Sequence, residues 1–303
     1  MNLMSAFRKR TPSGQPIEVG TVSWLRELEE AMAISDETGR PVFALFQEVP
    51  GCAGCKQFGA EVLSNQVIVD AIEEAFVPLL IHNNTGGRDA EVLAQYGEPA
   101  WNFQVVRFLD SDGFDIIERR DKVWETGPLA ARMVQTLEKA GREIPPYLRL
   151  VEQEFSDRLE TIHFAQGCFW TGEMHLAQIE GVVYTLAGFM GGHEITTVYF
   201  DPNQINAGDV AREAKARGVA SIIYAEGDVK QSLERSGFQV QFTDEATHRV
   251  APKRDQKRQI SGVPGLKGLT PAQTAKVNGF FRSSAADAAK YLAPSQRGML
   301  GRV

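Results

Sequence analysis

Leu25, Leu28, Ala31, Met32 and Ile34 recur at helical spacing behind Ser23 and predict a capped helix over 24–37. Gly39 ends it. The unbroken apolar run 41–47 reads as a buried strand. A short loop follows, then an amphipathic stretch that predicts a helix over 56–63. Ser64-Asn65 interrupts the pattern before a second helix at 66–76. Val77-Pro78-Leu79-Leu80-Ile81 predicts another central strand. Turn residues fill 83–89, and 90–96 is a short helix. The extended runs 105–109 and 114–117 flank Asp110-Ser111-Asp112-Gly113, a hairpin signal. A helix over 126–140 closes the series. The order implies a mixed sheet with helices on both faces.

Ahead of this series, residues 1–21 are polar and predict a poorly ordered lead-in. Behind it, the run from Gly141 to Tyr147 contains Pro145-Pro146, which no continuing helix accepts. Residues 142–160 are therefore expected to be a linker with a helix over 148–157. A second alternating series begins at Thr161: strand, helix, the extended run 181–189, a glycine turn and the strand 195–200. A helix over 207–217, a strand over 219–224, a helix over 230–236 and an extended 238–242 complete it. This is a βαββαβ-like, ferredoxin-like α/β sandwich over 161–245. Residues 246–303 form a basic helical tail, in which Thr270 and Pro271 start one helix and Ala293-Pro294 another. The fold class is α/β: a mixed sheet with flanking helices over 22–141, the sandwich, and the tail.

Composition changes this picture little. The chain has 303 residues, 43% apolar and 23% charged, enough for two cores. No apolar run reaches the ~18–20 residues that cross a bilayer, and no secretory pattern follows the basic start, so no membrane partner is expected. The net charge of −7 conceals an asymmetry: from Arg249 onward eleven Lys or Arg face two acids, a net +9, leaving −16 elsewhere. No nucleic-acid partner is expected, because the tail lacks interleaved aromatics and any nucleic-acid module. Packing on the protein's own acidic surface, or simple solvation, is the expected fate of its charge.

Three cysteines form no disulfide framework and suit a reducing compartment, so the expected localisation is cytoplasmic. Cys52 and Cys55 stand two residues apart between a strand and a helix start. A helix N-terminus favours thiolate, so the pair reads as a redox dithiol. A half zinc site is the competing reading. It needs two more ligands from Cys168, His82, His163, His175, His193 or His248, none of which is paired at metal-ligand spacing, and no metal is expected. No cofactor motif is present. His163 reads as a strand residue facing solvent or a satisfied core imidazole, Glu173 as a solvated helix carboxylate, and Lys56 as a surface cation.

Residues 22–141 resemble the thioredoxin-like fold. The loop Val49-Pro50-Gly51-Cys52-Ala53-Gly54-Cys55 is similar to that of a thioredoxin-like family whose first cysteine position can be selenocysteine and whose second can be Thr. Thioredoxin itself carries Trp and Pro where this chain has Gly51 and Gly54. It also has a cis-proline before the third central strand; here Pro99 lies several residues early, and Phe103 and Gln104 adjoin the strand. The resemblance implies thiol–disulfide exchange, with an external thiol reductant.

The second unit resembles the methionine sulfoxide reductase A family over about 161–235. The matching pieces are Phe164-Ala165, Gly167-Cys168-Phe169-Trp170, Glu180-Gly181-Val182, Gly188-Phe189, Gly191-Gly192-His193-Glu194 and Tyr199-Phe200-Asp201-Pro202. The resemblance implies Cys168 as nucleophile on a sulfoxide, Phe169 and Trp170, with Phe189, as the substrate pocket, and Glu194 as the acid. Attack leaves a sulfenic acid for another thiol to reduce. The family's segment between Gly-Gly and Gly-His, with its Tyr, is missing; Gly192 runs into His193. The later oxygen-binding pattern survives only as Ser221 and Tyr224. Methionine sulfoxide turnover, another Cys168 redox role, and a domain kept for packing or binding all stay open.

The expected function is that of a thiol oxidoreductase that acts on an oxidised protein or peptide and supplies electrons to Cys168 from the dithiol. The alternative is a redox-sensing or partner-binding protein with a catalytically degenerate second domain.

Overall fold

The structure is a computed structural model and describes residues 14–101, 104–263, 266, 268–298 and 300. Residues 1–13 of the expected lead-in, and Phe103, lie outside the described residues. The chain divides into two compact units, 1–149 and 150–303.

The first unit is built on a three-stranded sheet, β1 Val42–Gln47, β2 Val77–His82 and β3 Val105–Leu109, in the order β2-β1-β3. β1 is parallel to β2 and antiparallel to β3, so the sheet is mixed, as expected. Every residue of β1 is buried. Its alternation therefore feeds two apolar faces. Val42, Ala44 and Phe46 pack with Leu28 and Ala31 of α1 (Leu28–Thr38) and with Val92 and Leu93 of the helix Arg88–Tyr96. On the other face Phe43 meets Phe76 and Phe108 edge-on at 6.1 and 5.4 Å, and those two rings lie tilted to each other at 5.7 Å. The remaining helices are α2 Ala53–Glu61, α3 Gln66–Ala75, α4 (the Arg88–Tyr96 helix) and α5 Thr126–Lys139; α6 Pro146–Glu154 contains the division between the two units. Asn65 caps α3, its side chain accepting from Val67 N.

Three expectations change. The first helix begins at Leu28, not at residue 24. Leu25 N instead donates to Pro78 O, and Leu25 O accepts from Leu80 N, so this stretch lies along β2 as a parallel bridge. Tertiary pairing overrides helical periodicity there. The second arm of the hairpin makes a single bridge, Leu109 to Asp115, because the polar run that follows turns away and Arg119 pairs with Glu98. Residues 14–21 are ordered structure rather than loose lead-in. A 3-10 turn, Ile17–Val19, buries Glu18 and Val19.

The second unit holds a five-stranded antiparallel sheet: β4 Glu160–Ala165, β5 Val182–Met190, β6 His193–Phe200, β7 Ile222–Tyr224 and β8 Arg249–Val250, in the order β7-β4-β6-β5-β8. With α7 Phe169–Leu176, α8 Ala207–Ala216 and α9 Gly227–Arg235, this is the ferredoxin-like βαββαβ sandwich extended by one strand. Its core gathers Ile162, Phe164, Val198 and Phe200 from the sheet against Leu176 of α7 and Val210, Ala211 and Ala214 of α8. α10 Pro271–Phe280 begins with the anticipated cap: Thr270 Oγ1 accepts from Gln273 N and Gln273 Oε1 from Thr270 N. α11 Ala285–Lys290 and α12 Pro294–Arg297 follow.

The basic tail packs within its own unit. Lys276 of α10 is buried, and its ammonium donates to Ala177 O and Ile179 O at the C-terminal end of α7. Burial pushes its pKa down to about 7. Glu173 departs furthest from expectation. It is fully buried and paired with the buried Lys257, because the tail brings a cation to the face of α7 that sequence spacing alone leaves in solvent.

Candidate functional site

β1 ends at Gln47, and a four-residue turn delivers Cys52 to the N-cap of α2. The helix starts three residues earlier than its periodicity predicts, which places Cys52 outside the first turn and Cys55 within it. Cys52 is exposed and Cys55 fully buried, with the two sulfurs 3.5 Å apart. The Cys55 backbone N–H is the largest influence holding the Cys52 thiol below its ordinary pKa. The Cys55 thiol and Gly54 N–H add to it, against partial desolvation and the Glu48 charge. Burial, then hydrogen bonding to Cys52, pushes Cys55 up to about 12. The pair is therefore asymmetric: an accessible nucleophile with a protonated thiol behind it.

The turn is held from three sides. Glu18 Oε1 accepts from Gly51 N at 3.0 Å, and Gln47 Nε2 donates to Glu18 O and Cys55 O. Asn84 Oδ1 accepts from Val49 N, and its amide donates to Pro50 O. A Cβ on Gly51 would lie 2.5 Å from Glu48 O and 2.6 Å from Cys55 Cβ, so the Trp of thioredoxin has no room here. The Val49–Pro50 peptide is cis. Before β3 it is Gln104 that meets the dithiol: Cys55 Sγ donates to Gln104 Oε1 at 3.6 Å, and Gln104 Nε2 contacts Gly54 O. The exposed Trp124 donates from Nε1 to Gln104 O at 3.4 Å, which sets an aromatic surface beside the cysteines. Sequence reasoning missed Glu18, Asn84 and Trp124, which are about 30 to 70 residues from the dithiol in the chain and carry no motif. Lys56 is exposed, as expected.

Ligand atoms of Glu48, Cys52 and Cys55 lie within 4.8 Å of one another, the one group of three that could hold a metal among the described residues. A closed zinc site takes four ligands, and no described histidine joins these three.

This asymmetry predicts the order of alkylation. With iodoacetamide at pH 7, Cys52 is expected to be carboxamidomethylated with a midpoint below the ordinary thiol value of about 8.5. Cys55 is expected to stay protected until strongly alkaline pH. Peptide mapping of the quenched protein reads both, and labelling of Cys55 before Cys52 at neutral pH contradicts the arrangement.

The second unit repeats the strand–cysteine–helix arrangement. β4 leads through Gln166 and Gly167 to Cys168, the half-exposed N-cap of α7. Glu194 Oε2 accepts from Phe169 N at 2.8 Å, so its carboxylate sits on the first turn of the cysteine's helix. The hairpin explains this placement. Gly191 and Gly192 have φ of 56° and 81°, a two-residue turn that L side chains rarely form, and Met190 pairs with His193 across it. Glu194 then falls directly opposite Phe189. Phe169 packs edge-on to both Trp170 and Phe189, at 5.8 and 5.5 Å. Cys168, Phe169, Trp170, Phe189 and Glu194 thus occupy one neighbourhood. His193 is exposed.

Ser221 and Tyr224 stand elsewhere in purpose. The Ser221 hydroxyl donates to Ala165 O, and Tyr224 packs with Ala165, Met190 and Ile195. His163 is a satisfied core imidazole: its Nδ1 and Thr197 Oγ1 share a 2.9 Å hydrogen bond, and its ring lies 5.1 Å from that of His248.

The tail supplies the far wall, which no motif foretold. Gln256 bonds to both Ala187 N and Ala187 O, and Ala251 N donates to Ala187 O. Trp170 Nε1 donates to Asp255 O. Ala251 completes an apolar cluster with Phe169, Ala187, Trp170 and Phe189. Arg249 lies 4.7 Å over the Phe189 ring and Arg258 5.2 Å over Trp170.

Residues 23–110 match the thioredoxin-like family model, and residues 160–213 that of peptide methionine sulfoxide reductase. A comparison with curated proteins gives no match. Among solved structures the chain is similar to a DsbH oxidoreductase, at 18% identity and a TM-score of 0.34, over 46% of this chain and 99% of that one. It is also similar to methionine sulfoxide reductase A of Corynebacterium diphtheriae, at 20% identity and a TM-score of 0.30, over 40% of this chain and 82% of that one. The chain joins a thioredoxin-like domain to a peptide methionine sulfoxide reductase domain and is an oxidoreductase. No described helix is long and apolar enough to cross a membrane.

Proposed function

We propose that the thioredoxin-like dithiol supplies electrons to Cys168, which reduces methionine sulfoxide in peptides or proteins, in a cytoplasmic setting. The observation that carries the reading is the dithiol's asymmetry: an exposed Cys52 whose thiol is held low, with a buried, protonated Cys55 3.5 Å behind it. Cys168 attacks the sulfoxide sulfur while Glu194 delivers a proton to the oxygen. The S–O bond breaks, the methionine thioether leaves, and Cys168 carries the oxygen as sulfenic acid. The Cys52 thiolate attacks that sulfur and releases water, forming a Cys52–Cys168 disulfide. Cys55 attacks Cys52, frees Cys168 as a thiol and leaves a Cys52–Cys55 disulfide. An external dithiol restores the pair with two electrons. Phe169, Trp170 and Phe189 bind the methyl group.

The tight Gly191–Gly192 turn favours a second reading. The family's oxygen-binding Tyr has no counterpart in that turn, so the second domain binds a partner and the dithiol alone does redox work. One experiment separates them. Cys55→Ser protein, given a methionine sulfoxide peptide, is expected to accumulate a Cys52–Cys168 linkage in tryptic mass maps. Wild-type protein with dithiothreitol is expected to turn the peptide over and to lose that turnover in Cys168→Ala. Turnover unchanged by Cys168→Ala, or a Cys55→Ser protein with no linked peptide, overturns the relay.

A further inference from the structure

The segment that walls the aromatic cluster is built rigidly, and its charge is left over. Between Arg249 and Arg258 stand five cations and one acid, Asp255. Lys257 is buried against Glu173, and Arg254 lies 3.8 Å from Asp255. Arg249, Lys253 and Arg258 form no ion pair among the described residues, and all three are exposed. Two of them rest on the rings of the cluster, Arg249 on Phe189 and Arg258 on Trp170. The anchors are numerous: the Lys257 bonds to Glu173 and Thr185 O, the Gln256 pair on Ala187, the Trp170–Asp255 bond and the β8 ladder. A segment so tied is a wall, not a lid.

We infer that Arg249 and Arg258 make this site select acidic peptide segments, with the oxidised side chain at the rings and carboxylates flanking it. The inference rests on the proposed function for the identity of the central side chain, but its electrostatic content does not. Two exposed guanidinium groups without an ion-pair partner among the described residues, each resting on a ring of one apolar cluster, attract anions and repel cationic peptides, and the cation–π contacts fix both in place. Their outer edges keep N–H donors for carboxylate.

Binding is read in the full-length Cys168→Ala protein, so that turnover plays no part. The probes are fluorescein-labelled hexapeptides with methionine sulfoxide between pairs of Asp, Gln or Lys, in 50 mM salt, followed by anisotropy. The Asp peptide is expected to bind about tenfold more tightly than the Gln peptide, with the Lys peptide weakest. The preference is expected to shrink severalfold at 0.5 M salt, where screening is strong. Arg249→Gln/Arg258→Gln is expected to bring the Asp and Gln peptides together, while a Lys122→Gln control leaves the preference intact. Equal affinities in the parent protein, a preference that survives the double variant, or tighter binding of a single-stranded oligonucleotide of matched charge each overturns the inference. Absence of turnover in the Cys168-intact protein, alongside an intact acidic preference, removes the sulfoxide reading and leaves the acidic site standing.

Discussion

Glu173→Gln is expected to destabilise the second unit by about 3–5 kcal/mol, the usual cost of stranding one partner of a buried ion pair. Glu173 is fully buried; its Oε1 takes the Lys257 ammonium and its Oε2 takes Lys257 N at 2.7 Å. The same ammonium donates to Thr185 O at 2.7 Å. Glutamine keeps the shape but leaves a cation with no counter-charge in a low-dielectric setting. Lys257 also holds a left-handed φ of 51°, a conformation that these bonds maintain. The loss is expected to appear as faster amide exchange over 249–258 and a lower urea midpoint. Glu173→Met/Lys257→Met is expected to recover much of it, because both charges then go together. A single variant that loses less than about 1 kcal/mol, with unchanged exchange, would show that this pair does not anchor the segment.

The second large effect is a dependence on pH. Burial, aided by the neighbouring His248, lowers the His163 pKa from 6.5 to about 4. Between those values the unfolded chain binds a proton that the folded protein refuses. The His163 contribution to stability therefore rises as pH climbs from about 4 to 6.5 and is constant above. The whole window is worth at most about 3 kcal/mol. His163→Gln, which keeps a hydrogen-bonding partner for Thr197, is expected to flatten the slope in this window while changing stability little at pH 8. Unfolding of both proteins in urea at pH 4.5, 5.5, 6.5 and 8 checks it; parallel curves would refute the assignment. Lys276 acts in a higher window with the same sign. Its folded pKa of about 7 lies below the lysine value of 10.5, so it adds stability as pH rises between them.

Local chemistry was legible. Asn65, Thr270 and Pro271 signal their helices because capping is settled within a few residues. The central strands declare themselves by apolar runs, and Cys52, Cys55 and Cys168 by standing between a strand and a helix. The first helix was misjudged because the apolar residues around Leu25 suit both a helix face and a sheet edge. Its choice depends on Pro78 and Leu80, more than fifty residues away. Glu173 was misjudged for the same reason: a carboxylate on a helix is solvated unless something distant covers it, and Lys257 is 84 residues on.

The sequence by itself determined two α/β units, the dithiol at a helix start, and the cysteine that opens α7. Those features follow from periodicity, capping and motif spacing, which act over a few residues. Only the tertiary structure decided that Cys52 is open and Cys55 closed, and that Glu18 and Gln104 hold them. It also decided that Glu194 faces Phe189 across a two-glycine turn, and that the basic tail walls the aromatic cluster. Burial and charge pairing are properties of neighbours brought together by folding, and no local pattern encodes them.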